Sequence, residues 1–224
     1  MRLITLPTPA QKGYLSMKVL LLNGSSHPNG CTHTALHEIA LTLESSGIQT
    51  EILFLGNEPV RDCTACGTCA RQPGRCAFDD DVVNRIIEKA CEADGFVFGT
   101  PVYYAHPSGR ILSVLDRVFY AGKDAFVHKP AAAIASARRA GTTATLDVLQ
   151  KYFTISQMPV VSSTYWTMVH GKEPADVLKD EEGLQTMRNL AVNMAWLLRC
   201  IEAGKDVGIQ PPQAESGART NFIR

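Results

Sequence analysis

Residues 17–32, MKVLLLNGSSHPNGCT, and the periodic stretch that follows to Ser46 decide the fold. The run 17–23 carries Val19, Leu20, Leu21 and Leu22 without interruption and ends at Gly24. That pattern suits a strand buried on both faces. From Thr32 to Ser46 the apolar residues Ala35, Leu36, Ile39, Ala40 and Leu43 recur on one helical face, and Gly47 supplies the stop. A buried strand therefore runs through a short polar loop into an amphipathic helix.

The same alternation continues outward. Residues 50–55 predict a second strand. Asp79, Asp80 and Asp81 cap a helix that reaches about Ala93. Residues 95–99 (GFVFG) predict the third strand, and 108–120 a helix with Ile111, Val114, Leu115 and Val118 on one face. Residues 130–136 (PAAAIAS) predict a fourth strand, 142–153 a helix, and 158–162 (MPVVS) a fifth strand. A last helix, 180–203, sets Met187, Leu190, Ala191, Met194, Leu197, Leu198 and Ile201 toward the core. Five such strands imply a parallel sheet with helices on both faces, wound in both directions by right-handed crossovers. Ligands then bind beyond the C-terminal ends of the strands, in the loops after strands one, three and four.

The bulk properties fit one α/β domain of 224 residues. The 22 basic and 22 acidic residues balance, which favours neither nucleic acid nor an anionic membrane as a partner. No apolar run approaches the roughly 18–20 residues of a membrane span. The first 16 residues lack the apolar centre of a signal peptide, so a cytoplasmic protein is expected. The domain is expected at 17–204, with an N-terminal extension at 1–16 and a flexible tail at 205–224. Met17 competes with Met1 as the start.

The loop Gly24–Thr32 connects a strand to a helix N-terminus, where free N–H groups and the helix dipole favour an anion. Ser25, Ser26, Asn29 and Thr32 add short donors. Gly30 is followed by Cys31 rather than Lys, so no Walker A loop is formed. The Gly-x-Gly-x-x-Gly fingerprint is absent too. A cradle for a phosphate monoester remains, against the plainer reading of a helix-capping turn. After strand three, Thr100-Pro101-Val102-Tyr103-Tyr104 offers backbone groups and an aromatic to a planar ring, or simply caps the core. After strand four, Arg138 and Arg139 stand before Gly141, either beside a ligand or solvated on a turn.

The segments GSSHPNGCTHTAL, CTACGTC with Cys76 and the Asp79–Asp81 run, ADGFVFGTPVYYAHPSGRILSVLDR and SARRAGTT occur in this order. Together they resemble the NADPH-dependent FMN reductase family, especially its iron–sulfur flavoprotein branch, over about residues 17–204. The resemblance implies a flavodoxin-like fold with strand order 2-1-3-4-5. It implies FMN, with its phosphate in the loop holding Ser25, Ser26, Asn29, Gly30, Cys31 and Thr32. The isoalloxazine would lie over Pro101, Val102, Tyr103 and Tyr104, closed by Arg138, Arg139 and Gly141. His27 matches a basic family position only in part. NAD(P)H is the implied electron donor, and a quinone, nitro or azo compound or flavin the acceptor. A homodimer or homotetramer is implied, with flavin sites near subunit interfaces and the segment from Tyr165 to His170 reaching such a site. His106 would border the active site.

Four of the seven cysteines form Cys63-x2-Cys66-x2-Cys69-x6-Cys76. The spacing suits three corners of a [4Fe–4S] cube with a fourth ligand just beyond, as in the iron–sulfur flavoproteins. Tetrahedral zinc and free redox-active thiols are the alternatives. With a cluster, an electron carrier for ferredoxin-like partners competes with an NAD(P)H-driven enzyme. A scaffold without flavin that works as a zinc or thiol switch is the third reading. The residues Asp116 and Arg117 read as a structural pair.

Overall fold

The computed structural model describes residues 17–218 and Thr220. The extension expected at 1–16 and the end of the expected tail lie outside the described residues. The elements follow one another as β1 (Lys18–Asn23), α1 (Cys31–Ser45), β2 (Gln49–Phe54), α2 (Thr68–Arg71), α3 (Val83–Glu92), β3 (Gly95–Tyr103), β4 (His106–Pro107), α4 (Gly109–Ala121), β5 (Ala131–Ala137), α5 (Thr142–Ile155), β6 (Met168–His170), α6 (Pro174–Val177) and α7 (Glu181–Asp206). The main sheet is parallel, in the order β2-β1-β3-β5-β6. The two-residue β4 pairs antiparallel with the end of β3. Without that short hairpin strand the order is the expected 2-1-3-4-5.

Each face of the sheet carries its own core. Leu20 and Leu22 of β1 face one cluster, under α3, α4 and α5. Val19 and Leu21 face the other, under α1 and α7. This explains why the β1 run never alternates with polar residues: both faces are dry. The small residues of β5 divide in the same way, with Ala131, Ala133 and Ala135 on one side and Ala132 and Ile134 on the other. Full burial of each Leu or Ile in these layers contributes about 1.5–3 kcal/mol.

Two expectations change. The fifth strand does not form over 158–162. Val160 makes a single bridge with Ala131, and ladder pairing with β5 resumes only at Met168 opposite Ala135. Eight steps of this segment thus span four steps of β5, and the excess, around 162–166, loops out. The apolar run at 158–162 touches the sheet only around Val160, where Ala131 N donates to Pro159 O at 2.9 Å and Val161 N to Ala131 O at 2.8 Å. The second change is the length of β3. It continues through Pro101, Val102 and Tyr103, which the sequence pattern assigns to a loop. Pairing with β1 ends at Gly99 while pairing with β5 runs on to Pro101 opposite Ser136, so Pro101 has a strand on one side only, where a strand tolerates proline.

Candidate functional site

The loop after β1 is organised by Asn23, whose side chain is fully buried. Its Oδ1 accepts from Ser25 N at 3.1 Å, and its Nδ2 donates to Pro28 O at 3.1 Å. Ser25 Oγ in turn accepts from His27 N at 3.0 Å. The loop is thus folded back on its own strand. Gly24 N donates to Gly99 O at 2.8 Å, and a Cβ on Gly24 would meet Ile111 at 2.9 Å. A glycine is needed for β1 and β3 to leave the sheet this close together.

Helix α1 then begins at Cys31 with Gly30 as its cap and no side-chain cap hydrogen bond. The amides of its first turn have no intrahelical acceptor and face outward. They open into a cleft of about 640 Å³, a size common for small-molecule sites. Thr32 Oγ1 lies 2.8 Å from Ser136 Oγ, and both are buried. This bond ties α1 to the end of β5 beneath the cleft. Burial pushes the half-buried Cys31 thiol above its usual pKa.

Of the site residues expected from the sequence, Ser25, Asn29, Gly30, Cys31, Thr32, Pro101, Val102, Tyr103 and Arg138 come together around this cleft. Ser26, Tyr104, Arg139 and Gly141 do not line it. Ser26 Oγ instead reaches Tyr103 OH at 3.3 Å across the cleft mouth. Tyr104 and Ala105 form the two-residue turn between β3 and β4, with φ of 52° and 58°. Positive φ at both positions is the hairpin geometry that normally takes Asn or Gly, so this turn is strained. The Tyr104 side chain projects fully into solvent. Gly141 has φ of 99°, and a Cβ there would sit 2.5 Å from Ala105 Cα. It lets the hairpin pack on the start of α5. Arg139 offers its carbonyl to His170 Nε2 at 3.1 Å.

The opposite wall is Gly171-Lys172-Glu173-Pro174, which the sequence reading did not assign to the site. Cys31 Sγ approaches Gly171 O at 3.7 Å. The available signal was the Gly-Lys-Glu-Pro run, a charged turn directly after the true last strand. It was hidden because the apolar run at 158–162 reads as the last strand, which lies instead at Met168–His170.

The four clustered cysteines rim a second, smaller hollow with Phe78, Arg117 and Tyr120. Among the described residues no three His, Cys, Asp or Glu side chains are arranged to hold a metal ion. The donor set itself, four thiols on one rim, suits a thiophilic metal or an iron–sulfur group. The loop that carries them is pinned from below. Asn84 accepts from Cys76 N at 2.8 Å and donates to Cys76 O, Phe78 O and Asp79 Oδ1 at 3.0–3.1 Å. Arg117 pairs with Asp81 and not with Asp116, which accepts from Tyr152 OH. Neighbours on a helix point in different directions, so the expected Asp116–Arg117 pair does not form. A hydrogen bond with the Thr68 hydroxyl holds the exposed Cys66 thiol below its usual pKa.

A family model described as NADPH-dependent FMN reductase matches residues 17–173. An iron–sulfur flavoprotein of Methanocaldococcus jannaschii is 30% identical over 194 residues, covering 83% of this chain and 100% of that one. Among solved structures, a flavodoxin from the domain Archaea has a TM-score of 0.56 at 15% identity, over 82% of this chain and 99% of its own. An NAD(P)H:quinone oxidoreductase from Methanothermobacter marburgensis reaches 0.61 at 18% identity, over 80% and 97%. These two structures are similar in fold, which is flavodoxin-like. No helix among the described residues is long and apolar enough to cross a membrane.

Proposed function

The chain belongs to the NADPH-dependent FMN reductase family, and from that membership we propose that it binds FMN in the strand-end cleft and moves electrons from NAD(P)H to a small acceptor. The acceptor class is quinones, nitro or azo compounds, or free flavin. The observation that carries this reading is the uncapped first turn of α1 opening onto the same cleft as Val102 and Tyr103. Groups suited to an anion and to a planar ring thus line one cleft.

Bound FMN would supply the hydride and electron chemistry. The chain supplies position and field. The amides of Cys31 and Thr32, with the Ser25 hydroxyl, would hold the phosphate through backbone donors and the helix dipole. Val102 and Tyr103 would present an apolar edge and an aromatic face to the ring. Arg138 and Lys172, both exposed at the cleft rim, add positive charge that favours a reduced, anionic ligand. The test is uptake of FMN by the purified chain, followed by anaerobic addition of NADPH and then of a quinone. Stoichiometric flavin that bleaches with NADPH and recovers with quinone is expected. A chain that takes up no FMN would sink the reading.

A second reading is favoured by one specific observation, the four thiols around a single hollow. On it, Cys63, Cys66, Cys69 and Cys76 hold a [4Fe–4S] cluster, and the protein exchanges electrons with a ferredoxin-like partner. Iron and sulfide assays on anaerobically prepared protein test it. Stoichiometric iron and sulfide, with slow bleaching by NADPH and fast bleaching by reduced ferredoxin, would favour the carrier over the enzyme.

A further inference from the structure

The flavin cleft makes no use of Arg117, a cation only 1% exposed near the middle of α4. Its guanidinium is saturated by its surroundings. Nη1 pairs with Asp81 and donates to Arg61 O at 3.2 Å, and Nη2 donates to Phe78 O at 3.3 Å. What remains of the fork is aimed at one sulfur: Nε and Nη2 each lie 3.4 Å from Cys76 Sγ. Among the described residues no other cysteine of the hollow receives a guanidinium. Cys66 meets only the Thr68 hydroxyl, at 3.5 Å.

Resting on the reading that these cysteines hold an iron–sulfur cluster, we propose that Arg117 is a positioning residue that aims two N–H donors at the Cys76 ligand sulfur and raises the cluster's reduction potential. Asp81 neutralises the guanidinium, so the effect comes from two N–H donors aimed at a ligand sulfur rather than from net charge. Hydrogen bonds to ligand sulfurs are among the levers that set such potentials. Reduction adds one electron and no proton, supplied by reduced flavin in the protein or by dithionite in a titration. The added charge is shared by the sulfurs, so both N–H···S contacts strengthen in the reduced form and favour it.

The test uses the full chain, reconstituted anaerobically with iron, sulfide and FMN. Two variants are compared with the parent. Arg117→Lys keeps a partner for Asp81 but loses the fork. The double variant Arg117→Met/Asp81→Asn removes the pair together and leaves no lone buried charge. Iron, sulfide and FMN are counted, and the midpoint potentials of cluster and flavin are measured in one titration. The expected result is a cluster potential more negative than the parent's in both variants, with the flavin potential unmoved. An unchanged cluster potential at full iron content overturns the proposal. So does loss of iron from both variants while FMN stays bound, which makes Arg117 a strut only. A parent protein that takes up no iron and sulfide overturns the cluster reading, and this proposal with it.

Discussion

The strand-end cleft and the cysteine hollow are built by opposite means. The cleft is set by main chain: the closely spaced ends of β1 and β3, the free amides of α1 and the strained two-residue turn that follows β3. Few side chains hold it, and those few (Asn23, Thr32, Ser136) are buried. The hollow sits in a connection between β2 and α3 whose one regular element is the single turn α2. Side chains pin that connection to α3 and α4. Arg110 donates to the carbonyls of Asn57 and Glu58 at 2.9 Å and 2.6 Å, Ser113 bonds Asp62, and Asn84 and Arg117 hold the Cys76 end. A main-chain site should fail when a Cβ is added and tolerate most truncations. A pinned loop should do the reverse.

The largest expected effect is on the pinned side. Arg117→Met alone strands Asp81 in a buried position. Removing one partner of a buried pair costs about 3–5 kcal/mol, read by denaturant unfolding. Hydrogen exchange should locate the loss in residues 56–82, and the remaining folded protein should still take up FMN. Loss of FMN uptake in parallel would mean the two regions are not separable.

Next comes the cleft. Gly141→Val forces a branched side chain into φ of 99° and against Ala105. Backbone strain and overpacking together should cost about 3 kcal/mol. FMN affinity should fall with it, while exchange protection of 56–82 stays as in the parent. An unchanged FMN affinity would show that the β3–β4 hairpin does not shape the site.

Thr32→Val is a smaller probe. It leaves Ser136 without its buried partner, a cost of about 1–2 kcal/mol. The melting temperature should drop modestly, and FMN should bind more weakly but still bind. A neutral result would mean the backbone alone holds the end of α1.

The smallest effect concerns pH. The Asn84 amide, and then the Arg75 cation, hold the Asp79 carboxyl below its usual pKa. A depressed carboxyl stabilises the folded loop above its unfolded value of about 3.9. That contribution drains away as pH falls through the lower folded value. Asp79→Asn should therefore raise exchange in residues 76–84 at neutral pH. The gap from the parent should close on acidification below about pH 4. A gap that persists in acid would assign the effect to shape and not charge.

Most of the sheet and the heart of the cleft were legible in the sequence because they are local. Aliphatic runs of strand length, helical spacing at Ala35, Leu36, Ile39, Ala40 and Leu43, and the glycines Gly24 and Gly47 that bound them express the geometry of a few neighbouring residues. The nine expected residues that meet in the cleft lie at the C-terminal ends of such strands, where the winding of the sheet must bring them together. What escaped is what depends on partners distant in sequence. The last strand pairs at Met168–His170 and not over 158–162, because the ladder with β5 chooses its register and an apolar run does not. That shift alone brings Lys172 and Glu173 to the cleft. Arg117 turns away from Asp116 to Asp81, across 36 residues of chain, because adjacent residues on a helix diverge while packing against α3 brings the farther carboxylate near. Local periodicity thus determined the elements and the cradle. Tertiary packing decided which charges are paired, which wall closes the cleft and which sulfur meets the buried cation.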